Sequence, residues 1–219
     1  MAKIKVKKQS TFIDMTAMSD VTVLLLTFFM LTSTFLAKEP IQVITPSSVS
    51  EIKIPEVNKL QMLIDPNGKV FMSLDNVKDK EAALIGVGQD YGIQFTQDEI
   101  TKFSQLSTFG VPIADMKAFL ALDSEKQDKY LRDNADSDRV GIPTTGREQT
   151  NPTTGEVTID SEFKHWVRHA KEANDKLLLA IKADKETLYP VVQGVIDNLR
   201  EMRENRYLLI TSLKTASNG

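Results

Sequence analysis

Residues Met15 to Ala37 read MTAMSDVTVLLLTFFMLTSTFLA, 23 residues in which Asp20 is the only ionisable group. A helix of that length rises about 35 Å at roughly 1.5 Å per residue, enough to cross a hydrocarbon core of ~30 Å. The stretch is therefore expected to be a transmembrane helix. Lys3, Lys5, Lys7 and Lys8 precede it, whereas Lys38 behind it is balanced by Glu39. A lysine bias of this sense puts the N-terminus in the cytoplasm and everything after residue 37 on the far side of the membrane. A cleaved signal peptide is the competing reading, but Phe35 stands where a small residue is wanted three before a cut at Ala37, and an acid precedes the apolar run. The nearly unbroken apolar run from Val21 to Leu31 and the basic flank also disfavour a buried helix of a soluble protein.

The rest of the chain has a different character. Of 219 residues 27 are basic and 30 acidic, a formal net charge of −3, and residues 1–37 hold +2 of it, leaving −5 to the other 182. A charged fraction of 26% with 10 Gly and 8 Pro is that of an ordinary globular domain, not of a disordered, collagen-like or polytopic membrane protein. No basic excess points to nucleic acid. With no cysteine there is no disulfide framework, thiolate metal site or thiol nucleophile, and redox chemistry says nothing about compartment.

Asp20 is the residue that a plain anchor has no reason to carry. An acid at a helix centre raises insertion cost by roughly 2.5–3.5 kcal/mol, softened here by its place in the second turn. At about 100° per residue, Thr27 falls about 20° and Thr16 and Thr34 about 40° from Asp20. These residues form a hydroxyl-lined stripe flanked by Leu24 and Leu31, with Leu25, Phe28 and Phe29 turned elsewhere. Polar atoms in hydrocarbon must face protein or water, so the stripe predicts helix partners on that side. The threonines alone are explained as well by hydroxyls bonded back to carbonyls one turn earlier. A carboxyl held in hydrocarbon favours its neutral form, so it can take a proton from one side and release it to the other. That describes a proton relay site, although a fixed ion pair with a partner's Lys or Arg stays open. One helix with one acid forms no conduction path, and other subunits must complete it.

The segment Ile13-Asp14-Met15-Thr16-Ala17-Met18-Ser19-Asp20-Val21, with the aliphatic run and Phe28-Phe29-Met30-Leu31 behind it, resembles the single-helix signature of the ExbD/TolR biopolymer-transport family. In that family a V-T-P-x-x-D-V pattern leads into a Leu-rich span whose aspartate is protonated in a motor driven by the proton-motive force. The resemblance implies that Asp20 is that aspartate and Thr16 the motif threonine. Ala17 replaces the motif proline and Met15 the valine.

Beyond the span, residues 38–50 read as an extended linker, PIQVITPSSVS being uncharged with two prolines and three serines. The stretch Glu51 to Val57 alternates as a strand does. Leu60 to Ile64 and Val70 to Leu74 flank Asp65-Pro66-Asn67-Gly68, a turn whose Asn-Gly tolerates positive φ, so a hairpin is expected. Near the other end, Lys176 to Ala183 reads as a strand and Lys185 to Asn205 as a helix, with Leu188, Val191, Val192, Val195, Ile196, Leu199 and Met202 at helical spacing. Pro190 sits in its first turns, where a missing N–H costs least, and Arg206 to Leu213 reads as a last strand. This end resembles the same family, in which a strand of the form V-x-I-R-A-D leads into a helix opening with Tyr; Lys182, Ala183-Asp184 and Tyr189 stand at those places.

Residues 79–160 fit that pattern poorly and read as an insertion. Gln97 to Leu106 and Ile113 to Asp133 are expected as helices that bury Phe103, Leu106, Met116, Phe119, Leu120, Tyr130 and Leu131. Asp136 to Thr158 is expected as a Thr/Gly/Pro loop with PTTG at 143–146 and again at 152–155, suggesting paired turns. Gly86-Val87-Gly88 lacks the last glycine of a dinucleotide loop and is read as a turn. Asp123, Asp128, Asp133, Asp136 and Asp138 form a solvated acidic face without EF-hand spacing. His165 and His169, four apart on a predicted helix, have a spacing that suits one metal. Trp166 stands where a metalloprotease has Glu and no third ligand is specified, so no metal is assigned. No nucleophile, base and orienter assemble, and neither an enzyme activity nor a cofactor is expected.

The expected fold class is a single N-terminal transmembrane helix plus an α+β periplasmic domain, a small sheet with helices, carrying a mostly helical insertion. Its segments are a cytoplasmic tail (1–14), the helix (15–37), a linker (38–50) and the domain (51–215). The resemblance implies an inner-membrane motor subunit that dimerises, sits within an ExbB-like channel oligomer in the bilayer and passes work to a TonB-like protein serving outer-membrane transporters. Asp20 would carry the proton and Thr16, Thr27 and Thr34 line its path. A TolR-like role in the Tol-Pal envelope system uses the same chemistry. From another class comes an anchored periplasmic binding or adaptor protein whose activity lies in residues 79–160. A flagellar-stator reading is weaker, for want of a peptidoglycan-binding pattern.

Overall fold

The computed structural model describes residues 15–33, 41, 43–48, 57–134, 137, 139–150, 157–210 and 212–213. The chain divides into two compact units, Met1–Ala37 and Lys38–Gly219.

Among the described residues of the first unit is one helix, α1 (Thr16–Thr32), with no buried residue, and its side chains are apolar on all sides apart from Asp20 and hydroxyls. The expected span runs to Ala37, but the helix ends at Thr32 and Ser33 is extended. Thr32-Ser33-Thr34 is a run of hydroxyl residues, whose side chains compete for backbone groups and sustain helix poorly. Residues 34–37 and the four N-terminal lysines lie outside the described residues. Among the described residues no helix is long and apolar enough to cross a membrane.

The second unit is built on a four-stranded sheet from β2 (Lys59–Ile64), β3 (Val70–Leu74), β6 (Leu178–Ala183) and β7 (Tyr207–Leu209), in the order β3-β2-β6-β7. β1 (Ser47–Ser48) and β8 (Ser212–Leu213) form a separate parallel pair. The expected hairpin is present: β2 and β3 are antiparallel, with Leu60 opposite Leu74 and Ile64 opposite Val70. Its turn closes through the Gly68 N–H to the Asp65 carbonyl (3.0 Å), Gly68 takes φ +79°, and the Asp65 carboxylate accepts from the Lys69 N–H at 2.7 Å. The left-handed residue after a Pro-Asn corner is thus the one without a Cβ. Of the expected strand over 51–57, residues 51–56 lie outside the described residues, and Val57 is a bend.

The terminal strand and helix also form, with β2, β6 and β7 mutually parallel, but the expected last strand Arg206 to Leu213 divides into β7 in the main sheet and β8 paired with β1. The helix, α7 (Tyr189–Glu201), is shorter than the expected Lys185 to Asn205. Asp184 holds its N-terminal approach in a turn, accepting from the Glu186 N–H at 3.0 Å, and Pro190 sits in the first turn as expected. At the far end Arg203 takes φ +63° and the Glu204 N–H reaches the Leu199 carbonyl at 2.9 Å, a left-handed stop. The other Asp184 oxygen accepts from the Ile44 N–H at 2.7 Å, so the aspartate of the Ala183-Asp184 motif ties the segment before the sheet to the β6–α7 loop.

Between the hairpin and β6 lie α2 (Val77–Asp90), α3 (Gln97–Gln105), α4 (Ile113–Leu120), α5 (Ser124–Asp133), the β4 (Arg147–Thr150) and β5 (Val157–Asp160) hairpin, and α6 (Glu162–Ala173). Four readings change. The single helix expected over Ile113 to Asp133 is two, because Asp123 takes extended φ/ψ as the cap of α5. The expected loop over Asp136 to Thr158 contains an antiparallel ladder, Arg147 opposite Asp160 and Thr150 opposite Val157. The second PTTG, Asp136 and Asp138 lie outside the described residues. Gly86-Val87-Gly88 is not a turn but part of α2, where Val87 is fully buried. A Cβ on Gly86 would stand 2.4 Å from His169 Nδ1, so this glycine lets α2 and α6 approach closely. Leu188, expected on the α7 core face, is 71% exposed just ahead of the helix.

The core joins these layers. α6 buries Phe163, Trp166, Val167 and Ala170, one stripe at helical spacing. The Trp166 ring stacks on Phe103 at 5.7 Å between centroids, with Phe109 4.8 Å away. Phe109 also exchanges backbone hydrogen bonds with Met72, and the Ile142 N–H donates to the Val70 carbonyl, so the outer edge of β3 is covered by connecting chain. Phe103, Met116, Phe119, Leu120 and Leu131 are buried as expected; Leu106 and Tyr130 are partly buried against them. Lys80 of α2 donates through Nζ to the Ser104 and Leu106 carbonyls (3.2 and 2.6 Å), satisfying the open end of α3, and burial lowers its pKa.

Candidate functional site

In α1, Asp20 lies in the second helical turn and is exposed. It is the one ionisable side chain among residues 15–33, so α1 itself offers no cation to pair with it. Thr16 opens the helix on the turn before. Thr27, two turns later, donates its hydroxyl back to the Val23 and Leu24 carbonyls at 3.0 and 2.9 Å, while Thr32 does the same to Phe28 at 2.8 Å. The back-bonded arrangement thus holds for Thr27: its proton is committed to the backbone, leaving its oxygen as an acceptor on the Asp20 side. Thr34 lies outside the described residues.

A second constellation comes from tertiary packing. Asp90, at the end of α2, projects between the two histidines of α6, with its Oδ2 2.5 Å from His165 Nδ1 and 2.8 Å from His169 Nε2. The other ring nitrogens are also engaged, His165 Nε2 with Asp160 Oδ1 at 2.9 Å and His169 Nδ1 with Glu172 Oε2 at 2.9 Å. Arg168 Nη2 reaches Asp90 Oδ2 at 3.0 Å and also His165 Nδ1. Burial alone would raise the Asp90 carboxyl, but hydrogen bonds from His169 and His165 outweigh it and leave it below the usual carboxylate range. Tyr91, edge-on to His165, is pushed up to about 12 by burial and then by the charges of Glu162, Asp160 and Asp90. The sequence reading leaves the histidine pair without a third ligand. Folding supplies Asp90, 75 residues upstream of His165, a relation no local spacing encodes.

Next to this cluster, Glu162 Oε1 accepts from both the Trp166 indole N–H (3.1 Å) and the Ile113 N–H at the start of α4 (2.9 Å). Burial raises its pKa despite those two bonds. The folded state therefore holds this proton more tightly than the unfolded chain does, so stability declines as pH rises from 4.5 through the folded value. Glu162→Gln keeps Oε1 as the acceptor and removes the buried charge. Thermal unfolding of the variant across pH 4 to 7 is expected to lack this decline and to give a midpoint at neutral pH equal to or above that of the unaltered chain. A lower midpoint at neutral pH would show that the charge itself holds α4 and Trp166.

One helix, apolar but for a single acid and its hydroxyl residues, and a separate small α+β sheet domain define a two-part class of protein. Residues 7–109, just under half of the chain, match the family model described as Biopolymer transport protein ExbD/TolR, so this stretch of the chain is similar to that family. The match takes in α1, the hairpin, α2 and α3, and so runs past residue 79 into the segment read as an insertion; it stops short of the Leu177 to Leu213 end, where the resemblance rests on the quoted motif. Comparison with curated proteins and with solved structures returns no match.

Proposed function

We propose that this chain is the proton-motive-force-driven motor subunit of an ExbB/ExbD-type inner-membrane complex that energises TonB-dependent outer-membrane transport. The observation that carries the reading is Asp20, the lone acid of an otherwise apolar helix, inside the stretch that matches the family. In this reading two copies place their α1 helices within an ExbB-like sheath. Asp20 takes up a proton from the far side and releases it to the cytoplasm, lined by Thr16, Thr27 and Thr34. A helix whose every residue is exposed has its apolar surface free for lipid and partner helices. Seventeen residues cover about 26 Å of a ~30 Å core, and such a mismatch costs fractions of a kcal/mol per Å. The drive is roughly 2.3 kcal/mol per charge per 100 mV, which suits stepwise motion of a helix in a partner. The domain after the helix lies in the periplasm and transmits that motion.

Affinity purification of the full chain from detergent-solubilised membranes of its own host tests this assignment. Co-purification of an ExbB-type channel protein and a TonB-type protein is the expected result. TolQ- and TolA-type partners would replace it by the TolR-like role, and recovery from the soluble fraction with no channel protein would overturn both.

A further inference from the structure

We propose that Asp90, His165 and His169 form a binding site for one divalent transition-metal ion of the zinc type, pinning α2 to α6. The inference stands apart from the motor reading and from Asp20.

The argument begins with the outer nitrogens of the two rings. His165 Nε2 lies against the Asp160 carboxylate and His169 Nδ1 against the Glu172 carboxylate, each at 2.9 Å. A carboxylate only accepts, so both of these nitrogens carry protons. The inner nitrogens, His165 Nδ1 and His169 Nε2, converge on the same atom, Asp90 Oδ2, to which they donate when no ion is bound; once those protons are given up, each ring turns a lone pair toward that point. Arg168 Nη2 lies beside both Asp90 Oδ2 and His165 Nδ1. Three acceptors facing one another repel unless positive charge lies among them. Two imidazolium protons would supply it, and so would one divalent ion.

The surroundings favour the ion. Histidines bound to a metal donate their second N–H to a carboxylate, which fixes the tautomer and makes the ring a better ligand, and both rings here do so. The three donor atoms lie within 4.8 Å of one another. Zinc–ligand bonds of 2.0–2.2 Å in a tetrahedral site set donors roughly 3.3 Å apart. The spacings of 2.5 and 2.8 Å must therefore open by less than ~1 Å, a change within the reach of side-chain torsions. Arg168, 47% exposed, is free to swing out as the ion takes over its charge. Two nitrogens and one oxygen suit zinc, cobalt or nickel, whereas calcium and magnesium require all-oxygen cages. The fourth position is open to water.

The test uses the full chain in detergent, stripped with a chelator and titrated with Zn²⁺ by calorimetry and with Co²⁺ by visible absorption. One ion per chain, a cobalt spectrum of four-coordinate type and a rise in unfolding temperature reversed by chelator are expected. Asp90→Asn and the double variant His165→Gln/His169→Gln should abolish this binding, and Glu172→Gln should weaken it about 10–100-fold, the usual cost of losing a carboxylate behind a histidine ligand. No saturable Zn²⁺ binding by the unaltered chain overturns the proposal and leaves an imidazolium pair, and undiminished binding by the double variant overturns it as well. The unaltered chain decides the matter even where a variant does not fold.

Discussion

Asp20→Asn is expected to bring energised uptake down to the level of cells that lack the chain, with membrane insertion and partner assembly unchanged. The amide matches the neutral carboxyl in size and retains an acceptor, but it cannot release a proton. A site that works by alternating between neutral and charged forms is frozen in one of them, and the drive of roughly 2.3 kcal/mol per charge per 100 mV has nothing to act on. Asp20→Glu keeps the ionisable group one methylene further out and should retain part of the activity. Thr27→Val removes an oxygen whose proton is already given to Val23 and Leu24, so its effect should be far smaller than that of the asparagine variant. Uptake by energised cells, read together with co-purification of the channel protein, is the measurement. Normal uptake in the asparagine variant would sink the proton-relay role and favour an anchored adaptor whose work lies in the domain after the helix.

Trp166→Ala is expected to be the most damaging single change in the second unit. The ring is 1% exposed, stacked on Phe103 and in contact with Phe109, and so joins α6 to α3 and to the chain that covers the edge of β3. Removing a buried Trp costs about 3–5 kcal/mol from lost burial plus cavity, and total stability is only about 5–15 kcal/mol. For a unit of this size the melting temperature should fall by roughly 6–20 °C, at 2–4 °C per kcal/mol. The indole N–H is lost as well, leaving Glu162 with the Ile113 N–H alone. Trp166→Phe keeps most of the ring packing and should lose clearly less. Thermal unfolding of the full chain by near-ultraviolet circular dichroism, which follows aromatic packing, checks both.

Local chemistry makes the hairpin and the β6-α7-β7 end legible, because each is decided within a few residues. Asp65-Pro66-Asn67-Gly68 contains its own turn, with Gly68 at the left-handed position, and Pro190 marks the first turn of α7. Where the reading of the chain departs from the structure, either a distant contact or a backbone choice that periodicity does not record made the difference. Gly86-Val87-Gly88 has the composition of a turn, yet it is helical, and the lack of a Cβ at Gly86 is what lets His169 of α6 come close. The stretch from Ile113 to Asp133 has one continuous helical period, and a local dihedral choice at Asp123 divides it. The ladder of β4 and β5 lies in a segment of Thr, Gly and Pro that advertises turns more strongly than strands.

Spacing and side-chain type along the chain are enough to find one apolar segment with one acid, Asp20, followed by a hairpin and a strand-helix-strand end. These are properties of spacing and side-chain type within a few helical turns or strand residues, and periodicity records them directly. The strand order β3-β2-β6-β7 and the meeting of Asp90 with His165 and His169 came from long-range packing. Strand order and convergent side chains depend on which elements bury their apolar faces against each other, and that is settled by the packing of the whole domain.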